Sequence, residues 1–493
     1  MTEPVTVQLT DGTVRGLRRD DHHSFQGIPY AAAPVGERRW RAPAPVEPWS
    51  GVRDATEPGA PAPQTAQAFD AAASLDEDCL TLNVTVPAAP RAGRPVLVWL
   101  HGGGGTNGTA AGYDPRRLAV TGDVVVVAPN FRLGALGWFG HPGLDESGTF
   151  GLQDQQAALR WVQREIPRFG GDPANVTLVG ESHGALTVAA HLTAPGSAGL
   201  FHRAVLQSVF GALGPTPAHL FMPGLPALPP MWSPVAELEQ LGAAVAIEHG
   251  WVEPGSDAES ALAQLRQVPV ADLLPVSGAF IRPAFGGGVL PESPADALAA
   301  GRFQRMPLML GTTRDEARFF AGLAGNPVTA ESYPQLLAGA FGDAADEVAA
   351  RYPVGSFATP SLAWARVSTD RAWAGPVWEL SRILAAHTET WLYEFADEDA
   401  PVLFPGFPSG AQHGSELAYQ FDLPGGPALP AAQQELAEQM NRYWTAFARH
   451  GDPALLGLPD WPRAGHVQAL APGRIGGVDY VTAHSLDFWA RMP

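Results

Sequence analysis

Short apolar runs, each closed by glycine, proline or polar turns, recur along this chain. Residues 95–100, ending Val98-Trp99-Leu100, and residues 124–128 are apolar at every position. A strand apolar on both sides belongs in a sheet covered on both faces, so these runs predict buried strands. Val176 to Val179 predicts another, and residues 203–209, 307–311 and 390–395 predict three more. Shorter strand-like pieces lie at 5–9 and 13–16. Elsewhere the period is helical. Ala157, Ala158, Trp161 and Val162 form one stripe within 154–168, and Leu436, Met440, Tyr443, Trp444 and Phe447 form another within 431–449. Strands alternating with amphipathic helices predict an α/β chain, with a large twisted sheet that is mixed rather than wholly parallel.

Two stretches interrupt this alternation. Residues 211–304 open with Pro/Gly-rich loops and then carry helical pieces at 235–247 and 257–267. Residues 321–385 read as a mainly helical excursion between late strands. Both read as cap insertions in a single catalytic domain spanning 1–493 rather than as independent modules. The Pro/Ala-rich stretch 59–73 is loop-like and too short to mark a domain boundary.

The strand at 176–179 runs into Gly180-Glu181-Ser182-His183-Gly184, and residues 184–192 then read as a helix. This is a G-x-S-x-G pentapeptide in the context it needs. A sharp strand-to-helix turn lifts the serine hydroxyl into the open, and small residues on either side avoid a clash. Upstream, His101-Gly102-Gly103-Gly104-Gly105 follows the strand ending at Leu100. Acyl transfer puts negative charge on a former carbonyl oxygen, which backbone amides can stabilise. Gly103 and Gly104 are the expected donors, joined by the amide of His183. The loop lacks the lysine and hydroxyl residue of a phosphate-binding nucleotide motif, and its spacing is not a dinucleotide fingerprint.

Composition narrows the partners. The formal charge of −19, from 31 basic and 50 acidic residues, argues against nucleic acid as a general partner. No apolar run is long enough for stable membrane insertion. The start lacks the basic and apolar regions of a secretory signal. Cys79 is the only cysteine, so an internal disulfide is impossible, and a cytoplasmic location is expected. Asn83, Asn107 and Asn175 match the glycosylation pattern but are read as ordinary local structure. The histidines form no zinc pattern: His22 and His23 lack further spaced ligands. No metal or organic cofactor is expected.

At this point the chain resembles the type-B carboxylesterase family, which also includes the cholinesterases. The resemblance runs from about Val5 to beyond Trp461. It rests on Phe25-Gln26-Gly27-Ile28-Pro29-Tyr30, Glu77-Asp78-Cys79-Leu80-Thr81-Leu82-Asn83-Val84, Trp99 to Gly104, Asn130-Phe131-Arg132-Leu133-Gly134 and the run Phe169 to Thr177 leading into the elbow. A bacterial, intracellular-type member is the nearest broad reading. The resemblance implies an α/β-hydrolase fold with Ser182 as nucleophile. It places the catalytic acid at Glu316 in Gly311-Thr312-Thr313-Arg314-Asp315-Glu316, with Asp315 the local alternative. It places the base at His413, before Gly414-Ser415-Glu416-Leu417. The order serine, acid, histidine is that of the hydrolase fold. Glu181 and Glu416 are expected to support the histidine region.

Two departures stand out from the family pattern. His183 occupies a position where alanine is common, and is expected either to shape selectivity or to join a supporting network. Gly105 occupies a position that is often aromatic, and its lack of a side chain is expected to widen the site or loosen its mouth. Trp138 and Phe139 are candidates to line or support the pocket, with core packing the alternative. Phe319 and Phe320 are expected to help form a hydrophobic gorge. The resemblance thus implies a serine carboxylesterase for small to medium esters, monomeric or homodimeric, working through an acyl-enzyme. Amide or carbamate hydrolysis and an inactive binding protein are the competing readings.

Overall fold

The computed structural model describes residues 3–66, 72–324, 328–404, 406–463 and 465–492. Parts of the 59–73 loop and of the 321–385 excursion therefore lie outside the described residues. Among the described residues the sheet has 13 strands and is mixed, as the apolar pattern predicts. At its centre the strands Arg94–Leu100, Gly171–Glu181, Arg203–Gln207, Leu308–Thr313 and Thr390–Phe395 lie side by side and parallel. Val125–Pro129 pairs parallel on the other side of Arg94–Leu100, and Val467–Ala471 pairs parallel with Thr390–Phe395. An antiparallel group, Glu3–Gln8, Thr13–Arg18, His22–Pro29 and Thr81–Pro87, closes the N-terminal edge.

Side-chain alternation builds a core on each face. Val96, Val98, Leu100, Val125, Val127, Leu178 and Leu310 point into one core; Leu97, Trp99, Val126, Val179, Val205 and Met309 point into the other. Helix Phe150–Glu165 covers the first face through Trp161 and Val162. Helix Ala431–His450 covers the second with Leu436, Met440, Tyr443, Trp444 and Phe447, the stripe legible in the sequence.

Several family motifs turn out to be structural. Arg132 and Asp154 form a buried bidentate pair with N···O distances of 2.7 Å. Arg39 and Glu77 form another, at 2.6 and 2.8 Å. Cys79 is buried, and burial pushes its thiol pKa up, so it is inert packing. Asn83 accepts from the Gly27 amide and Asn107 donates to the Thr65 carbonyl. No helix among the described residues is long and apolar enough to cross a membrane.

Candidate active site

The elbow forms because strand Gly171–Glu181 and helix His183–Thr193 meet at a single residue. Ser182 sits there with φ 55° and ψ −123°, a strained conformation for a residue with a side chain. Its amide is held by the Gln207 carbonyl at 2.9 Å. The flanking glycines are required by close approach. A Cβ on Gly180 would lie 2.5 Å from the backbone of Gly184, and one on Gly184 would lie 2.1 Å from the Leu100 carbonyl oxygen. Glu181 and His183 are buried while Ser182 between them keeps part of its surface open.

Beside the elbow, Gly103, Gly104 and Gly105 all have positive φ, at 96°, 64° and 76°. The loop is fastened by its carbonyls. Gly103 O accepts from the amides of Thr106 and Asn107, and Gly105 O accepts from the Gly134 amide at 2.7 Å and the Trp138 indole at 3.2 Å. Among the described residues, none serves as acceptor for the amides of Gly103 and Gly104. The His183 amide begins a helix, so no carbonyl one turn earlier receives it. These are the donors expected from the sequence, and all remain available.

Glu316 and His413 come together as the motif order implies. His413 Nδ1 lies 2.6 Å from Glu316 Oε2. Glu316 is fully buried, and its other oxygen accepts from the Thr313 amide at 2.8 Å and the Ser208 hydroxyl at 2.6 Å. Ser208 was not foreseen. It follows strand Arg203–Gln207 in a strained conformation of its own, φ 51°, and only the adjacency of two strands brings it to the acid. Asp315 faces the other way. It receives Arg314 at 2.8 Å, Arg318 at 3.0 Å and the Ala411 amide at 3.2 Å, on the wall of a separate cavity of about 510 Å³.

The far edge of the imidazole turns toward the elbow. Nε2 of His413 lies 3.2 Å from Oε1 of Glu181, the residue before Ser182. Burial acts to lower the His413 pKa, but the charges of Glu181 and Glu316 outweigh it and raise it to about 9. Glu416 is fully buried nearby. Burial first, then the charges of Glu181 and Glu316, raise its carboxyl to about 8, and Gln207 Nε2 donates to it at 3.3 Å.

An aromatic wall stands against His413. Ring centroids of Trp373, Phe320 and Phe319 lie 4.7, 5.3 and 6.0 Å from the imidazole. Phe210 and Phe221 extend it through Trp373 and Phe320, and Phe404 extends it through Phe319. Phe319 and Phe320 were expected here; Trp373 was not. It lies on a π-helical turn, Thr369–Ala374, whose Thr369 hydroxyl accepts the amide of Ala317, next to the acid.

The packing distinguishes the alternatives that the sequence leaves for Trp138, Phe139 and Gly105. Trp138 and Phe139 have no accessible surface and follow the support and core-packing readings rather than lining a pocket: Trp138 braces the Gly105 carbonyl, and Phe139 stacks on Trp40 at 5.1 Å within the core. Gly105 does not widen the site. A Cβ there would lie 2.6 Å from Nε2 of His183, whose imidazole fills that space.

A nucleophile elbow at the end of a central parallel strand, with an acid and a histidine on the loops of later strands, defines an α/β-hydrolase. The sequence model of the Carboxylesterase family matches residues 3–471, and the chain belongs to that family. It is a carboxylic-ester hydrolase. Its relatives include a fumonisin B1 esterase of Sphingopyxis macrogoltabida, 35% identical over 94% of this chain and 85% of the relative. A para-nitrobenzyl esterase of Bacillus subtilis is 33% identical over 93% and 92% of the two chains. A cocaine esterase of Oryctolagus cuniculus is 33% identical over 92% and 86%.

Proposed function

We propose that Ser182, His413 and Glu316 are the catalytic triad of a single-domain serine carboxylesterase whose 211–304 and 321–385 segments form its cap. The observation that carries this is the 2.6 Å contact between His413 Nδ1 and a fully buried Glu316, on an imidazole whose other edge faces the elbow. Glu316 fixes the ring and stabilises its protonated form. His413 Nε2 takes the Ser182 proton as Oγ forms a bond to the ester carbonyl carbon, and the carbonyl electron pair moves to oxygen. The amides of Gly103, Gly104 and His183 hold that oxyanion. As the intermediate collapses, His413 protonates the departing alkoxide. Water, activated by the same ring, then releases the acid and regenerates Ser182.

The aromatic wall beside His413 supports esters with an apolar or aromatic group. The para-nitrobenzyl esterase relative carries an aromatic alcohol in its name and fits that class. A reducing, cytoplasmic setting is supported by the lone buried Cys79. The test is hydrolysis of para-nitrophenyl esters of graded acyl length by the native enzyme and Ser182→Ala. Turnover is expected to vanish in a folded Ser182→Ala sample. Equal turnover in both would remove Ser182 from the mechanism.

A further inference from the structure

The side chain of His183 has no part in the triad, yet it occupies a built position. The residue is 5% exposed, and its Nε2 lies 2.8 Å from the carbonyl oxygen of Ile281 in the 211–304 segment. The ring meets the Trp138 indole edge-on, centroids 5.4 Å apart, and that indole donates to the Gly105 carbonyl. Gly105 in turn has no side chain where His183 stands, and a Cβ would lie 2.6 Å from Nε2. A closed circuit thus runs from the oxyanion loop through Trp138 and His183 to Ile281. A second attachment parallels it: the Ser277 hydroxyl accepts from the Ala135 amide at 3.3 Å, beside Gly134, which holds the Gly105 carbonyl.

From this circuit we infer that the His183 imidazole is a positioning residue for the oxyanion hole, clamping the elbow and the Gly103–Gly105 loop to the 211–304 segment through Ile281. The inference rests on the proposed catalytic reading and deepens it. A carbonyl acceptor requires a proton on Nε2. Burial lowers the ring's pKa to about 4, so in the working enzyme it is a neutral donor with a fixed tautomer. The His183 amide is one of the three oxyanion donors, so whatever fixes the side chain also fixes that N–H. Gly105 and His183 form a reciprocal pair, the absent side chain of one making room for the ring of the other.

The test uses the full chain and a para-nitrophenyl ester. His183→Ala should lower kcat by about 10- to 100-fold, the scale on which a small misplacement of a reacting group is felt, with KM changed less than about threefold. His183→Gln, which can again donate to Ile281 O, should recover about tenfold of that loss. A trifluoromethyl ketone reports the hole directly. Ser182 Oγ adds to its carbonyl carbon, the proton passes to His413, and the electron pair settles on an oxygen in the hole. Its affinity should fall in parallel with kcat, counted against titrated active sites so that a merely unfolded fraction does not register. Gly105→Ala supplies the coupling. Its positive-φ strain is present in either background, but its collision with the imidazole is absent when His183 is alanine. Gly105→Ala should therefore cost about tenfold less in kcat on His183→Ala than on the native chain. Equal costs in the two backgrounds, or a His183→Ala enzyme within twofold of native kcat and inhibitor affinity, would overturn the clamp. Ser182→Ala, run alongside, separates this failure from failure of the catalytic reading: an active Ser182→Ala removes the site itself.

Discussion

At His413, three carboxylates act against burial. Glu181, Glu316 and Glu416 surround one imidazole and raise its pKa to about 9, although burial alone would lower it. A general base must be unprotonated, so kcat/KM should rise with pH through about 9 and level off above it. Glu181→Gln removes the largest charge favouring the imidazolium and should move that midpoint down; a pH–rate profile with an unmoved midpoint would exclude Glu181 as the cause. The two adjacent acids separate in the same way. Glu316→Gln should lower kcat by about 10⁴-fold, as loss of the orienting acid does in serine hydrolases. Asp315→Asn should keep kcat within a few-fold while costing about 1–3 kcal/mol of stability, because Arg314 and Arg318 lose the shared carboxylate charge and one of its two acceptor oxygens. From residue types alone, choosing Glu316 among so many acids was guesswork. The family motif supplied it, and the structure adds the contact. Ser208 had no motif signal, since its role comes from two strands that lie 104 residues apart in the chain at every position where they pair.

Elements of strong period were legible in the chain, and those that depend on tertiary neighbours were not. Strand Thr390–Phe395 has the predicted bounds, and helix Ala431–His450 differs from prediction by one residue. Both have long apolar stripes that fix their registers. Strand Val467–Ala471 and the π-helical turn at Thr369–Ala374 lacked such a signal: the first is a short run completed by its pairing with Thr390–Phe395, the second a local departure inside a helical stretch. The elbow was legible because its requirement is steric. Gly184→Ala places a Cβ 2.1 Å from a backbone oxygen that no rotamer change can relieve, so the helix must pull away from strand Arg94–Leu100. A loss of roughly 3 kcal/mol or more is expected, with serine-probe labelling falling along with stability. Retained labelling at native stability would show that the helix can shift without cost. The two glycine-linked departures show the opposite limit. Gly105 read alone suggests open space, and His183 read alone leaves selectivity and a supporting network as alternatives; only the fold reveals that the imidazole stands where a Gly105 side chain would be.

The 321–385 segment is tied into the rest of the molecule by buried charge as well as apolar packing. His484, near the C-terminus, lies between Asp370 of the 321–385 segment and Glu394 of the central sheet, at 2.6 and 2.5 Å, and all three are buried. Asp370 also takes Arg366 at 3.0 Å and the Tyr352 hydroxyl at 2.8 Å, and Tyr352 receives the Trp489 indole at 2.8 Å. Three distant parts of the chain thus share one network, and its Asp370 lies within the Thr369–Ala374 turn, which holds the Ala317 amide beside Glu316 at one end and carries Trp373 to His413 at the other. Burial disfavours a charged His484, but hydrogen bonds to Asp370 and Glu394 prevail and raise its pKa. A pKa raised by folding stabilises the native state fully below the unfolded value of about 6.5, and that contribution is lost as pH rises through the folded value. His484→Gln leaves two buried carboxylates without their shared cation and should cost about 3–5 kcal/mol near neutral pH. Urea unfolding of native and variant protein across the neutral to alkaline range tests this. The gap between them should be widest at the acid end and narrow as pH rises. A gap that is constant with pH would mean that His484 acts as a neutral hydrogen-bonding strut, with no imidazolium in the network.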